Sequence, residues 1–261
     1  MRVGVAQIDI KLFDIESNVQ KHLDYIKKAK ELDIELLVFP ELSLTGYHIQ
    51  DKILDMGMTL ENKYVNLLVE ASDGIRIIFG IPEEERNAVL YNSSITVYNK
   101  KIEFVHRKNN LPNYGKFIEK AIFAPSKEVH NFSVNDQWKY AVLICADMWD
   151  PSLVHNTMLE DTNLLISPFN GGITEENITN IKNWQKCFDF YSMMYESYII
   201  GANRVGGEKE FKFFGNSVIM DPHGEVLAIA KTEEEDLIYA DIDYQEIRKA
   251  RVYAPNIKNL L

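Results

Sequence analysis

Short apolar strands alternate with helical segments in two parts of the sequence, and this alternation constrains the fold more than any other feature. In the first part, a strand beginning at Val3 precedes a helical pattern that Ser17 would cap and that reaches about Leu32. The apolar run 36–39 follows and ends at Pro40. This order predicts a β-α-β unit with parallel strands.

A second β-α-β unit is predicted near the middle of the chain. The apolar strand 140–144 is followed by Pro151, which suits the first turn of a helix, and by the strand-like run 164–166. Apolar residues at helical spacing then predict a helix over 178–195. Further strands are predicted to close the chain, at residues 198–200, 216–220, 226–230 and 237–239.

A β-hairpin is predicted between the two units. Residues 94–98 and 101–105 both alternate apolar with polar side chains, and only Asn99 and Lys100 separate them. No linker rich in Gly, Ser or Pro divides the chain, so we expect a single α/β domain over residues 1–261. Alternating strands and helices with inserted hairpins favour two sheets packed face to face, with helices outside.

The composition favours a globular protein that acts on a small molecule. Of the 261 residues, 46% are hydrophobic, which is enough for a substantial buried core. The formal net charge is -11, so the average surface repels nucleic acid and anionic membranes, and neither is an expected partner. Two cysteines, Cys145 and Cys187, fit a reducing compartment. Since no apolar signal-peptide core or spanning segment is recognised, we expect a cytoplasmic location.

Polar side chains that follow predicted strands are candidates for chemistry. Glu41 directly follows a buried strand and is either a loop acid or a general base among apolar neighbours. Lys108 leaves the hairpin in a basic loop and is either a solvated lysine or a binding group. Glu119, in the same loop, is either a binding group or an exposed ion-pair partner. Cys145 ends an apolar strand just before a helix, which suits either a buried thiol or a nucleophile exposed at a turn.

These side chains make chemical sense as one site. A thiol with a pKa of about 8.5 is mostly protonated at pH 7, so it needs a base and a cation to hold the developing charge. Glu41 and Lys108 supply these two functions. No histidine has a spacing that marks it as a partner of the thiol, and no metal-ligand, dinucleotide or phosphate-loop pattern occurs, so no metal or cofactor is predicted. Cys187 lies on the predicted 178–195 helix and is expected in the core.

The same residues resemble the motifs of the nitrilase superfamily of carbon–nitrogen hydrolases. The resemblance covers nearly the whole chain and implies a four-layer α-β-β-α sandwich with a catalytic triad of Glu41, Lys108 and Cys145. It also implies a homodimer or higher homo-oligomer. Three motifs occur in the order of the family, namely Phe39-Pro40-Glu41-Leu42, Arg107-Lys108 with Asn110-Leu111, and Ile144-Cys145-Ala146-Asp147.

Within the superfamily, residues 111–119 and a Cys-x-Asp-x-Trp pattern ending at Trp149 are similar to the glutaminase domain of glutamine-dependent NAD synthetase. The resemblance implies a small carboxamide as substrate. Ala146 stands where that branch commonly has glutamate, and the chain ends without an ATP-using synthetase domain, so we do not expect complete NAD synthesis. Nitrilases commonly follow the cysteine with Trp-Glu, so Ala146-Asp147 argues against nitriles as the natural substrate.

The resemblance implies acyl transfer through a thioester. Glu41 would deprotonate Cys145, and Glu119 would orient Lys108 or the substrate. The ammonium of Lys108 and the backbone N–H of Ala146 would hold the oxyanion. The expected activity is that of an amidase acting on C–N bonds other than peptide bonds. The alternatives are a glutaminase subunit that passes ammonia to a separate synthetase, an acyltransferase, and a non-catalytic interaction module.

The candidates for contact with a small amide substrate are mostly aromatic side chains close to these motifs. They are Tyr47, Tyr114, Phe117, Trp149, Phe169, Asn170 and Trp184.

Overall fold

Two six-stranded sheets make up most of the structure. The computed structural model describes residues 1–115, 117–173 and 180–257. The strands are β1 (Arg2–Gln7), β2 (Leu36–Val38), β3 (Arg76–Glu85), β4 (Val89–Tyr98), β5 (Lys101–Arg107), β6 (Asn131–Ser133), β7 (Lys139–Val142), β8 (Leu164–Pro168), β9 (Gly172–Ile173), β10 (Tyr198–Ala202), β11 (Val205–Glu208), β12 (Phe211–Phe214), β13 (Val218–Met220), β14 (Val226–Ile229) and β15 (Asp236–Asp241). The α-helices are α1 (Ile15–Glu31), α2 (Ile53–Met56), α3 (Lys63–Ala71), α4 (Pro151–Leu159), α5 (Asn180–Met194) and α6 (Tyr244–Tyr253).

Each of the two large sheets has a parallel centre. The first has the strand order β15-β1-β2-β3-β4-β5, and the second has the order β14-β13-β10-β8-β7-β6. Strands β1, β2 and β3 are parallel, as are β7, β8 and β10. The strands outside these centres pair antiparallel. The parallel pairs β1–β2 and β7–β8, each joined through a helix, confirm the two predicted β-α-β units.

The sheets pack face to face, with helices on both outer faces. Val5 and Val38 of the first sheet share one buried apolar cluster with Tyr140 and Ile166 of the second. A second cluster packs α1 and α3 against the outer face of the first sheet, and a third packs α4 and α5 against the second sheet. The layers therefore follow the order α-β-β-α, which confirms the predicted four-layer sandwich.

Helix α1 begins earlier than the sequence pattern suggested. Its first residue is Ile15, and the side chain of Asp14 accepts a hydrogen bond from the backbone N–H of Ser17 at 3.1 Å. The prediction that Ser17 caps this helix is wrong, because Asp14 is an equally good cap and comes three residues earlier. Helix α5 runs from Asn180 within the predicted range, and Ile178 lies outside the described residues.

The predicted hairpin is confirmed as β4 and β5. Tyr98 pairs with Lys101, and the two residues of the turn, Asn99 and Lys100, have φ angles of 47° and 61°. A two-residue turn with both φ angles positive matches the right-handed twist of the strands. The small antiparallel sheet of β9, β11 and β12 has no counterpart in the prediction. No α-helix in the described ranges is long and apolar enough to cross a membrane.

Strands of both sheets deliver the candidate residues to one place. Glu41 follows β2 and Lys108 follows β5, both in the first sheet, whereas Cys145 follows β7 in the second. The ends of packed strands are common positions for catalytic side chains, because the strands are rigid and the segments after them are free to diverge.

Candidate active site

The backbone of Glu41 is held against the first sheet by a glycine. Leu42, the next residue, has a left-handed φ of 48°. Gly80 in β3 lies so close that a Cβ atom there would be 2.3 Å from the backbone nitrogen of Leu42 and 3.0 Å from the carbonyl carbon of Glu41. Only glycine permits this approach, so Gly80 determines how closely the backbone of Glu41 packs against the sheet.

The Glu41 carboxylate is buried, with 1% of the residue exposed. Its Oε1 accepts hydrogen bonds from Lys108 Nζ at 2.6 Å and from Asn92 Nδ2 at 2.7 Å. Its Oε2 makes no hydrogen bond to any residue that the structure describes. One oxygen therefore holds the carboxylate in place while the other is available to take a proton.

Lys108 lies between two carboxylates. Its backbone N–H donates to Asn92 at 2.9 Å, so the residue continues the pairing of β5 with β4. Its buried Nζ donates to Glu119 Oε1 at 2.8 Å as well as to Glu41. Burial acts to lower the pKa of Lys108, but the charges of Glu119 and Glu41 outweigh it and raise the pKa well above its usual value. The two carboxyl groups therefore favour the ammonium form of Lys108.

Glu119 lies in the 3₁₀ turn Glu119–Ala121 and is buried. Its Oε1 accepts from Lys108 and from the hydroxyl of Tyr47, the latter at 2.6 Å. Burial raises the pKa of Glu119 to about 7, and the nearby charge of Glu41 acts in the same direction, while Lys108 opposes them. The pKa of this carboxyl group therefore lies above its usual range.

Cys145 has the backbone conformation of a sharp turn. Its φ is 47°, and it starts the 3₁₀ turn Cys145–Trp149 directly after the strand. The residue is half-buried. Burial raises the pKa of its thiol well above the usual value, the charge of Glu41 adds to this, and the charge of Lys108 and the backbone N–H of Asn170 oppose it. The resting group is therefore a thiol, and it needs a base before it can act as a nucleophile.

Two residues that support this cluster were not predicted in their present roles. Asn92 holds Glu41, but it stands beside Ser93 and Ser94 in the same strand, so nothing in the local sequence distinguishes it. Glu208 in β11 accepts the backbone N–H of Tyr47 at 3.1 Å and an Nη1 hydrogen of buried Arg204 at 2.6 Å. Burial opposes the ionisation of Glu208, but hydrogen bonds from His48 and the charge of Arg204 lower its pKa to about 2.

A cavity of about 960 Å³ opens beside the nucleophile turn. Ala146, the residue after Cys145, lines it together with Tyr114 and Trp149. Trp149 is half-exposed and Tyr114 is exposed. Asn110 and Phe123 also line it. The cavity is large enough for a small molecule whose reacting end would lie at the turn.

Three other predicted substrate contacts, Tyr47, Phe117 and Phe169, do not line this cavity. Phe169 is buried and stacks on Trp184 with 4.2 Å between ring centroids, so it forms part of the core rather than a cavity wall. Tyr47 is buried and holds Glu119. Phe117 packs between Tyr47 and Phe211.

Asn170 is placed between the two sides of the cluster. Its side-chain Nδ2 donates to the backbone carbonyl of Glu41 at 3.1 Å. Its backbone N–H faces the thiol of Cys145. The residue is buried and does not line the cavity of about 960 Å³, so its contacts hold Glu41 and Cys145 in place.

Comparisons with known proteins identify the family of the chain. The model of the carbon–nitrogen hydrolase family matches residues 2–252. A glutamine-dependent NAD(+) synthetase of Thermotoga maritima is 32% identical over 98% of the chain and 44% of its own length. A nitrilase of Pyrococcus abyssi is 27% identical over 97% of the chain and 93% of its own length.

A solved structure has the same fold. The glutamine-dependent NAD+ synthetase of Acinetobacter baumannii superposes with a TM-score of 0.85 at 27% identity, over 95% of this chain and 47% of that one. The chain thus spans less than half of the NAD synthetases that it matches. The family model covers nearly all of the sequence, and the chain belongs to the carbon–nitrogen hydrolases of the nitrilase superfamily.

Proposed function

We propose that the protein is a thiol amidohydrolase that cleaves a small carboxamide to a carboxylic acid and ammonia. The observation that carries this proposal is the buried ammonium of Lys108, bound by the carboxylates of Glu41 and Glu119 beside the Cys145 thiol. A base, a cation and a protonated thiol in one place are the groups that nucleophilic attack on an amide requires.

The first half of the reaction acylates the cysteine. Glu41 takes the thiol proton through its unbonded Oε2, and the sulfur of Cys145 attacks the amide carbonyl carbon. The Lys108 ammonium and the backbone N–H of Ala146 hold the oxyanion of the tetrahedral intermediate. Glu41 then returns the proton to the nitrogen, and the C–N bond breaks. Ammonia departs, and the acyl group remains on Cys145 as a thioester.

The second half releases the acid. Glu41 removes a proton from water, and the resulting hydroxide adds to the thioester carbonyl carbon. Collapse of this intermediate breaks the C–S bond, gives the carboxylic acid, and returns the proton to the sulfur of Cys145. Glu119 stays beside Lys108 through both halves and keeps the ammonium oriented.

A glutaminase that supplies ammonia to a separate synthetase is the second candidate. The relatives favour it, because the chain matches less than half of several enzymes named glutamine-dependent NAD synthetases. The chemistry at Cys145 is the same in both candidates, and they differ in the substrate and in the fate of the ammonia.

Ammonia release from a panel of small amides tests the first candidate. The panel contains glutamine, asparagine, ω-amides and carbamoyl amines, and Cys145→Ala is the matched inactive variant. We expect release by the wild type alone, with the acid as the only other product. A mass for an amine or alcohol adduct would indicate an acyltransferase, and glutamine turnover that rises with an added synthetase would indicate the glutaminase subunit. A wild type that releases no ammonia under either condition would contradict both candidates.

A further inference from the structure

The steps above do not use Asp147, although this carboxylate is buried beside the nucleophile. Its exposed fraction is 0%, and it lies in the 3₁₀ turn Cys145–Trp149. A buried carboxylate is costly unless several donors satisfy it, so its partners indicate what it does.

Four donors surround the Asp147 carboxylate. Oδ1 accepts the backbone N–H groups of Asn109 at 3.0 Å and Asn110 at 2.7 Å. Oδ2 accepts the backbone N–H of Ile144 at 3.0 Å and Nε2 of His106 at 3.2 Å. The buried His106 ring donates to Oδ2 in the tautomer that carries the hydrogen on Nε2.

The carboxylate accepts hydrogen bonds from both halves of the site, and His106, one of the donors to Oδ2, lies in β5 of the first sheet. The donors to Oδ1 directly follow Lys108, at the end of the first sheet. The backbone donor to Oδ2 directly precedes Cys145, at the end of the second sheet. One rigid, three-atom carboxylate group thus bridges the segment that carries the ammonium and the segment that carries the thiol.

We propose that Asp147 is a positioning residue that fixes the Cys145 thiol relative to the Lys108 ammonium. This inference rests on the proposed function of the same site. The role differs from that of a substrate contact, because the Asp147 carboxylate bonds only to backbone N–H groups and to His106 among the described residues.

Asp147→Asn tests the proposal with almost no change in shape. An amide has one accepting oxygen and one NH₂ group, so in either orientation the NH₂ points at a backbone N–H, on the side of either Asn109 or Ile144. This contact between donors opens one half of the bridge. We expect kcat to fall about 100-fold, because the alignment of the reacting groups is lost. KM should change less than about threefold, because the cavity that binds the substrate is retained.

A readout that needs no substrate separates this proposal from the proposed function. Alkylation of Cys145 by iodoacetamide, followed by peptide mass spectrometry, reports on the alignment of the thiol with its base. We expect alkylation to be about tenfold slower in Asp147→Asn, because Glu41 and Lys108 no longer assist thiolate formation. If Asp147 only stabilised the turn, its loss would expose the thiol, and alkylation would be unchanged or faster.

Glu196→Gln is the matched control for loss of a buried carboxylate. Glu196 is 1% exposed and accepts the backbone N–H groups of Asn256 and Ile257, which belong to the C-terminal segment. We expect this variant to lower thermal stability without changing the alkylation rate of Cys145. An equal slowing in both variants would overturn the proposal.

Two variants at His106 test the same proposal if Asp147→Asn does not fold. His106→Leu removes one donor to Oδ2, whereas His106→Gln keeps an N–H near the position of Nε2. We expect alkylation of Cys145 to be about tenfold slower in His106→Leu and less than about threefold slower in His106→Gln. Equal rates in the two would contradict the role of Asp147, whether or not the wild type hydrolyses any amide in the panel.

Discussion

Asn92 donates a 2.7 Å hydrogen bond to Oε1 of Glu41, the oxygen that also accepts from Lys108. The two donors immobilise the carboxylate through one oxygen and leave Oε2 facing the reaction. We predict that Asn92→Leu, which keeps the branching of the side chain and removes the donor, lowers kcat about tenfold because Glu41 becomes free to turn. Steady-state kinetics of ammonia release measure this. Asn163→Leu, at a buried asparagine that bonds Lys139 and Gln137 at the opposite end of the second sheet, should lower stability without affecting kcat.

Removal of the buried ammonium should nearly abolish turnover. Lys108→Ala deletes one of the two proposed oxyanion donors, and loss of such a donor typically lowers the rate on the order of 10²–10³-fold. Lys100→Ala, at an exposed lysine in the hairpin turn, is the control and should match the wild type. Circular dichroism shows whether the variant remains folded. Near wild-type activity of folded Lys108→Ala would refute the role assigned to Lys108.

The close contact between Gly80 and the backbone of Leu42 indicates that Gly80 cannot be replaced without moving Glu41. Gly80→Ala places a methyl group where the chain after Glu41 now lies, so the Glu41 segment must lift from the sheet. We expect a loss of about 1–3 kcal/mol in the free energy of unfolding and a fall in kcat of about 100-fold. Gly207→Ala is the control, since its Cβ would meet nothing closer than 3.8 Å. If the two variants had the same kcat, Gly80 would not position Glu41.

The raised pKa of Glu119 predicts how stability depends on pH. Because the pKa rises from 4.5 to about 7 on folding, the folded state holds this proton more tightly than the unfolded state. The contribution of this proton to the free energy of unfolding is therefore present below about pH 4.5 and is lost as the pH rises towards 7. The free energy of unfolding falls by at most about 1.4 kcal/mol per pH unit over this range. Glu119→Gln has no such proton. Chemical denaturation from pH 4.5 to 8 should show the stability of the wild type falling relative to this variant, and parallel curves would contradict the assignment.

Local patterns predicted the secondary structure around the site well. The run before Cys145 is apolar over its whole length, as expected for a strand that is covered on both faces, and Asn99-Lys100 tolerates the positive φ angles of a tight hairpin. The start of α1 was missed because Asp14 and Ser17 are both good caps, and a sequence does not show which of them the preceding loop presents.

Side-chain environments were harder to predict, because they depend on contacts between distant residues. Trp149 and Phe169 are both aromatic residues that follow strands, yet Trp149 lines the cavity whereas Phe169 is buried against Trp184. The support that Glu208 gives to Tyr47 joins residues 161 positions apart. No local pattern encodes such a pair, so it appears only once the small third sheet has been placed.

The division of the site between the two sheets links activity to assembly of the fold. Glu41, the proposed base, and Lys108 follow strands of one sheet, and Cys145 follows a strand of the other. Neither half of the chain carries the proposed chemistry by itself, and a partly folded molecule with only one sheet formed has no nucleophile beside its base. The recovery of turnover during refolding would therefore report the docking of the sheets, whereas the recovery of secondary structure would report each sheet alone.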